Sequence, residues 1–176
     1  RSDSKIFQQK KVPDIIESVL KKYGYPIQKK LTGSYRTWDY CVQYHETDLN
    51  FVSRLMEHEG IYYYFEHHAK KHTLILCDGI GSHAPLAPRS NVKYVGLGAA
   101  TIEHAEHMQS WHPREEIDPG EYISDDYDFT KPQAELETKN KNPKGHPHDT
   151  YERYSWPGGY TEVGEGETYA KTRREA

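Results

Sequence analysis

Residues 41–67 decide the fold, and they read CVQYHETDLNFVSRLMEHEGIYYYFEH. The middle of this stretch predicts an amphipathic helix over residues 48–59, because apolar residues recur there at a spacing of three or four. Thr47 or Asp48 can accept hydrogen bonds from the free N–H groups of the first turn, and Gly60 can end the helix. The predicted buried face consists of Leu49, Val52, Leu55 and Met56, with Phe51 alongside.

The segments around this helix predict a second helix and three strands. Upstream, residues 35–44 alternate in the two-residue period of a strand, and residues 13–23 carry an apolar stripe at helical spacing. Downstream, residues 61–66 and 73–77 predict the two strands of a hairpin. The order helix, strand, helix, hairpin is typical of a small α+β unit.

The composition changes after residue 78. Gly, Pro, Ala and Ser dominate residues 79–100, which indicates a boundary or a long loop. Beyond it we find no amphipathic helix, and expect none longer than two turns between residues 110 and 160. Short β-like runs occur at residues 91–95, 123–129 and 151–156. We therefore predict an α+β fold, with an α+β unit at residues 1–80 and an antiparallel β unit at residues 81–176.

The composition indicates a folded protein and excludes some classes. Hydrophobic residues make up only 35% of the chain, but aromatic residues reach 12%, more than disordered chains contain. The 23 Lys and Arg residues against 27 Asp and Glu residues give a net charge of -4, which provides no basic field for nucleic acid. No apolar run approaches the ~20 residues of a membrane-spanning helix. Cys41 and Cys77 lie in apolar runs, so we expect buried, reduced thiols.

Histidine is the residue type that could carry chemistry, with 11 copies in the chain. The clustered ones are His67, His68, His72, His104, His107, His146 and His148. Imidazole is a good ligand for zinc, so one hypothesis is a metal-dependent hydrolase. However, the chain contains no His-Glu-x-x-His pattern and no Gly-x-Ser-x-Gly nucleophile motif. We therefore expect solvated loop histidines and no catalytic, cofactor or metal site.

The segment 41–67 closely resembles the most recognisable stretch of the VgrG family, the spike proteins of type VI secretion systems. That stretch typically reads CVQYxETDxxFVSRLMExEGIYYxFEH, and every specified position agrees in order and spacing. The resemblance extends over nearly the whole chain. Residues 6–8 together with 12–16 resemble the family's preceding helix. His45, His58 and Arg174 replace the family's usual residues and are interpreted as surface exchanges.

This resemblance implies a fold and a function. It implies a hub module similar to the baseplate hub proteins of contractile-tailed phages, with a barrel-like second unit. We expect the family's N-terminal barrel portion, OB-fold and needle to lie outside these 176 residues. The implied function is structural: part of a trimeric hub that joins the Hcp tube to the puncturing needle and helps to deliver effectors across membranes.

The resemblance also implies partners and a location. The partners are two further copies of the chain, the Hcp tube, and, through the full-length chain, a PAAR-type tip and baseplate proteins. The spike would pierce a target membrane without binding it stably. It would assemble in the bacterial cytoplasm and be secreted to the extracellular space or into a target cell.

The candidate interface lies in two aromatic runs. The strand predicted near residues 61–65 is apolar or aromatic on both faces, which indicates that both faces are covered. One cover is expected to be another subunit; the alternative is that the helix at 48–59 covers one face within the monomer. A third hypothesis, a glycan-binding module, would use exposed tyrosines. The candidate interface residues are Tyr62, Tyr63, Tyr64, Phe65, Tyr127 and Phe129.

Overall fold

The computed structural model describes residues 2–85, 91–96 and 106–175. Three α-helices occur in these ranges: α1 (Val12–Leu20), α2 (Asp48–Glu59) and α3 (Val163–Glu175). The strands are β1 (Ser2–Lys11), β2 (Ile27–Lys30), β3 (Thr37–Thr47), β4 (Tyr62–His68), β5 (Lys71–Cys77), β6 (Lys93–Tyr94), β7 (His107–Met108), β8 (Glu121–Ser124), β9 (Thr138–Lys141) and β10 (Glu152–Ser155). None of these helices is long and apolar enough to cross a membrane.

The chain groups into two compact units. The first combines Arg1–Ser82 with Asp118–Ala176, and the second is His83–Ile117. In the second unit, β6 pairs with β7 in parallel. The division of the chain near residue 80 into an α+β unit followed by a β unit stays a prediction.

Two sheets occur in the N-terminal part of the first unit. β1 and β3 form an antiparallel pair, so residues 6–8 are strand and not part of a helix. The second sheet has the order β2-β5-β4, in which β4 pairs with β5 antiparallel and β2 pairs with β5 in parallel. The predicted hairpin is therefore confirmed, and both predicted helices are present as α1 and α2.

The core of this part is built from the apolar stripes of α1 and α2. Helical spacing places these residues on one side of each helix, so both stripes are buried together. The buried core residues are Phe7, Val12, Ile15, Ile16, Val19, Cys41, Phe51, Val52, Leu55, Met56, Ile61 and Leu76. The prediction for Leu49 was wrong. It was expected on the buried face of the helix, but it is 63% exposed. Cys41 and Cys77 are buried and unbridged.

The two ends of α2 follow the predicted capping. Thr47 Oγ1 accepts a hydrogen bond from the backbone N–H of Asn50 at 3.1 Å. Gly60 has φ +71°, and the N–H of Ile61 donates to the carbonyl of Met56 at 2.8 Å. A left-handed residue with no Cβ therefore ends the helix and turns the chain into β4.

The C-terminal part of the first unit differs from the prediction in two respects. Its sheet has the order β10-β8-β9, and β10 pairs with β8 in parallel rather than antiparallel. The helix α3 was not expected, because its 13 residues include two glycines and few apolar side chains. Tertiary packing against β8 and β9 supports it. Residues 110–160, all of which the structure describes, contain no helix, and the sheets in the described ranges remain open.

A bulge in the β1–β3 pair places a side chain in strained backbone. His45 has φ +51°, and the pairing register shifts beside it, between Asp3 and Lys5. Because a residue without Cβ adopts this conformation at no steric cost, His45→Gly should raise the free energy of unfolding by about 0.5–1 kcal/mol. Tyr40→Gly, at a regular β3 position, should lower it by about 1 kcal/mol or more, because it adds backbone freedom and also removes a half-exposed ring. Urea denaturation measures both changes. Equal losses of unfolding free energy in the two variants would contradict backbone strain at His45.

Candidate interaction surface

The corner between β3 and α2 is held by an arginine clamp. Arg54 donates from Nη2 to Glu46 Oε1 at 2.6 Å and to the backbone carbonyl of Val42 at 2.7 Å. Arg54 Nε lies 3.1 Å from each oxygen of the same carboxylate. The hydrogen bond from Arg54 lowers the pKa of Glu46. The clamp therefore fixes the start of α2 against β3.

A second polar group in this corner is buried. Asp48 accepts hydrogen bonds from Tyr23 Oη at 2.7 Å and from Gln43 Nε2 at 2.9 Å, and it pairs with Lys22. Burial alone would raise the pKa of Asp48, but these donors outweigh it and lower the pKa. Arg54, Asp48 and their partners thus make hydrogen bonds within the chain, where they shape the strand-to-helix corner.

The aromatic residues of 61–65, which follow α2, extend beyond the core. Ile61 is buried, whereas Tyr63 and Phe65, which follow it on the same face, are 44% and 51% exposed. Their ring centroids lie 5.9 Å apart in an edge-on arrangement. The chain's own core therefore covers only the beginning of this face, and an aromatic strip composed of Tyr63 and Phe65 remains open.

Polar contacts hold the other face of β4. Tyr62 Oη donates to the carbonyl of Gly79 at 3.0 Å. Lys30 Nζ donates to Tyr64 Oη at 2.9 Å and to Glu66 Oε1 at 3.1 Å, and it lies 5.5 Å from the centroid of the Tyr64 ring. These contacts hold β4 in place, so the strip on the opposite face is presented by an ordered strand.

Tyr127 and Phe129 lie on a different element, the loop after β8. The run at 123–129 was predicted as strand, but the strand ends at Ser124. Asp126 Oδ2 accepts hydrogen bonds from the N–H groups of Gly159 at 2.6 Å and Tyr160 at 3.2 Å, which holds the loop. The Phe129 side chain is 82% exposed. The loop thus presents two aromatic side chains from a fixed backbone.

A partly buried cluster joins α2 and β3 to α3, and no sequence pattern predicted it. The Arg36 guanidinium lies 4.5 Å from the ring centroid of Trp38 and pairs with Glu165 at 2.9 Å. Glu59 Oε1 accepts from Trp38 Nε1 at 3.1 Å and from Tyr169 Oη at 3.2 Å. Burial raises the pKa of Glu59 despite these donors. Since the residues of α3 lie more than 100 positions after their partners Arg36 and Glu59, no local pattern indicates the cluster.

His58 belongs to the same cluster. The interpretation of this residue as a substitution on the protein surface was therefore wrong. Its ring lies 5.4 Å from Trp38 and 4.4 Å from Tyr169, measured between centroids. Burial lowers the pKa of His58 to about 4, and the positive charges of Arg173 and Arg36 act in the same direction. The ring is therefore neutral at pH 7. Arg174 is also partly buried rather than fully exposed, and its guanidinium donates to Asn140.

The histidine groups do not form a metal centre with three or more protein ligands in the part of the chain that the structure describes. There, no three His, Cys, Asp or Glu side chains lie close enough to hold one ion. His67 and His72 are adjacent, with 2.7 Å between their Nδ1 atoms, and His146 Nδ1 lies 3.3 Å from the N–H of His148. His104 lies outside the described residues. The geometry thus gives the hydrolase hypothesis no three-ligand site in these ranges.

Comparison with known proteins relates the chain to tail and spike proteins. The family model for the phage tail baseplate hub (GPD) matches residues 1–176. VgrG1c of Pseudomonas aeruginosa, a type VI secretion system spike protein, is 44% identical over 176 residues, covering 99% of this chain and 24% of that protein. The spike protein VgrG3 of Vibrio cholerae is 31% identical, covering 99% of this chain and 17% of that protein.

The chain therefore spans about a quarter or less of the length of these relatives. Among solved structures, the E. coli c3393 protein is similar; it is described as a component of the type VI secretion system with structural similarity to T4 bacteriophage tail proteins. The match has 25% identity and a TM-score of 0.45, and it covers 57% of this chain and 27% of that one.

Proposed function

The chain belongs to the phage tail baseplate hub family, and from this membership we propose that it forms part of the hub of a type VI secretion spike. Relatives that match 99% of the chain at 44% and 31% identity, both named spike proteins, support this role. The proposed role is structural and not catalytic: the chain holds copies of the full-length protein together through packed surfaces.

The aromatic strip on β4 is the observation that carries the proposal. Asp48 and Arg54 of the preceding corner make hydrogen bonds within the chain, whereas Tyr63 and Phe65 are about half exposed. Large aromatic side chains are enriched at protein interfaces, because they offer apolar area at little cost in conformational entropy. We therefore assign this strip, with Tyr62 and Tyr64 behind it, to a contact between copies in a homotrimer.

Phe129 and Tyr127 form a second proposed contact, and the loop that carries them is fixed by Asp126 and Asp128. The remaining partners follow from the family of the whole protein. They are the Hcp tube, a PAAR-type tip and the baseplate, with assembly in the bacterial cytoplasm followed by secretion. A spike driven through a membrane bears force along its axis, so large apolar contacts between subunits suit it better than an open catalytic cleft.

Arginine on the aromatic strip tests the proposed contact. Phe65→Arg should leave the monomer folded, because the side chain is half exposed, but it should weaken subunit association about 30-fold or more by placing an unpaired charge in the contact. The measurement is the mass of the full-length protein by light scattering over a dilution series, with circular dichroism as a check on folding. Release of the tube protein from cells should fall with it.

His68→Arg is the matched control. It places the same charge on the same strand but on the opposite face, at an exposed position. Association should stay within about twofold of the unaltered protein, as for most residues outside a hot spot. If the Phe65→Arg protein forms trimers as well as the His68→Arg protein does, β4 is not the contact.

A further inference from the structure

Two histidines face each other at the end of the β4–β5 hairpin. His67 and His72 are direct cross-strand partners, and both side chains are exposed. Their ring centroids lie 4.9 Å apart, and their Nδ1 atoms are 2.7 Å apart. The two Nδ1 atoms therefore form a directly contacting pair on exposed side chains.

Without a cation, this geometry is a hydrogen bond between two neutral rings. One Nδ1 carries a hydrogen and donates, and the other Nδ1 accepts with its lone pair. The accepting ring therefore holds its own hydrogen on Nε2. Only the donating ring would have to move its hydrogen from Nδ1 to Nε2 for both Nδ1 lone pairs to become available, and solvent can carry out that exchange.

We propose that His67 and His72 form a two-imidazole site for a divalent transition-metal ion of square geometry, Cu²⁺ or Ni²⁺. Imidazole suits these ions, and their bonds to nitrogen are about 2.0 Å long, so two neighbouring ligands of a square lie about 2.8 Å apart. Two ligands of a tetrahedron would lie about 3.3 Å apart. The hydrogen-bonded nitrogens, 2.7 Å apart, are already near the square spacing, so binding of such an ion requires little change in their separation. Coordination forms two bonds from neutral nitrogens, changes no oxidation state and leaves the other positions to water.

The surrounding side chains hold one of the two ligands in place. The ring of His67 stacks on Phe65, with 6.0 Å between centroids and 26° between planes. Pairing of β4 with β5 fixes the backbone of both histidines, since Glu66 and Thr73 form the next cross-strand pair. Such support from neighbouring groups is what a metal site needs to keep its ligands oriented. The site adjoins the proposed subunit contact through Phe65, and it has too few protein ligands for the hydrolase hypothesis.

The test is a titration of the full-length protein with CuCl₂ in a buffer that does not bind copper. The unaltered protein should bind one Cu²⁺ ion per chain at this site, with an electron paramagnetic resonance spectrum that shows two nitrogen donors. His67→Ala and His72→Ala should each weaken this binding at least tenfold, since each removes one of two ligands. Urea denaturation of both variants checks that the hairpin remains folded.

His68→Ala is the control, because His68 is the neighbouring histidine on the opposite face of β4 and pairs with Lys71. It should change the affinity less than twofold and leave the two-nitrogen spectrum intact. The proposal is overturned if His67→Ala and His72→Ala bind copper as tightly as the unaltered protein. It is equally overturned if His68→Ala loses as much affinity as they do.

Discussion

Replacing Phe51 by alanine should lower the free energy of unfolding by about 3–5 kcal/mol. The Phe51 side chain is fully buried on α2, and its ring stacks on that of Phe7 with 5.5 Å between centroids. The guanidinium of Arg54 lies 5.0 Å from the same ring, so the loss also loosens the clamp at the β3–α2 corner. The cavity left in the core adds to the lost transfer free energy. Urea denaturation followed by circular dichroism measures the change.

Leu49 provides the matched control on the same helix. Its side chain is 63% exposed, so Leu49→Ala removes little buried area and should cost less than about 1 kcal/mol. The comparison keeps helix propensity nearly constant, because both substitutions place alanine in α2. Equal losses for the two variants would mean that α2 packs with a different face than the structure gives.

The second large effect concerns Gly166 in α3. A Cβ atom at this position would lie 2.5 Å from two atoms of the Tyr160 ring and 2.8 Å from Thr138 Cγ2. The Tyr160 ring cannot yield easily, because it is buried and its hydroxyl lies 2.8 Å from the carbonyl oxygens of both Ser124 and Leu136. Gly166→Ala should therefore lower the free energy of unfolding by about 1–3 kcal/mol, the range for overpacked sites.

Gly164 lies in the same helix, and its replacement by alanine should change the free energy of unfolding in the opposite direction. A Cβ atom there would meet nothing within 4 Å, so Gly164→Ala should raise the free energy of unfolding by about 0.5 kcal/mol through helix propensity. Thermal denaturation of the two variants should give a lower melting temperature for Gly166→Ala and a higher one for Gly164→Ala than for the unaltered protein. If Gly166→Ala is also neutral or stabilising, α3 does not dock on Tyr160.

Local signals explain why α1, α2 and the β4–β5 hairpin could be predicted. In α2 the apolar residues follow helical spacing, and the caps at Thr47 and Gly60 are next to them in sequence. The helix α3 has no such stripe; its buried Tyr169 packs against His58 and Glu59, which are distant in sequence. The parallel pairing of β2 with β5 joins segments on either side of α2 and β4, which no local pattern indicates.

The candidate surface was predictable only in part. The alternation from Ile61 to Phe65 identifies two aromatic faces, but which face stays open depends on where the core ends, and it ends after Ile61. Tyr127 and Phe129 were identified as aromatic residues, although their exposure arises from a loop held by Asp126 and not from a strand. The interface assignment of all six residues remains a prediction, which Phe65→Arg tests for those on β4.

The partly buried cluster around Glu59 forms only late in synthesis of the protein. Trp38 and Glu59 leave the ribosome long before Tyr169, the residue that closes over them, which is 110 positions after Glu59. In a nascent chain that has completed β5, the side chains of His58 and Glu59, which both contact Trp38, therefore lack their contacts with α3. Contacts this distant in sequence slow folding, because a long loop must close before they stabilise anything. A chaperone that shields Trp38 during this interval would raise the yield of folded protein without contacting the folded chain.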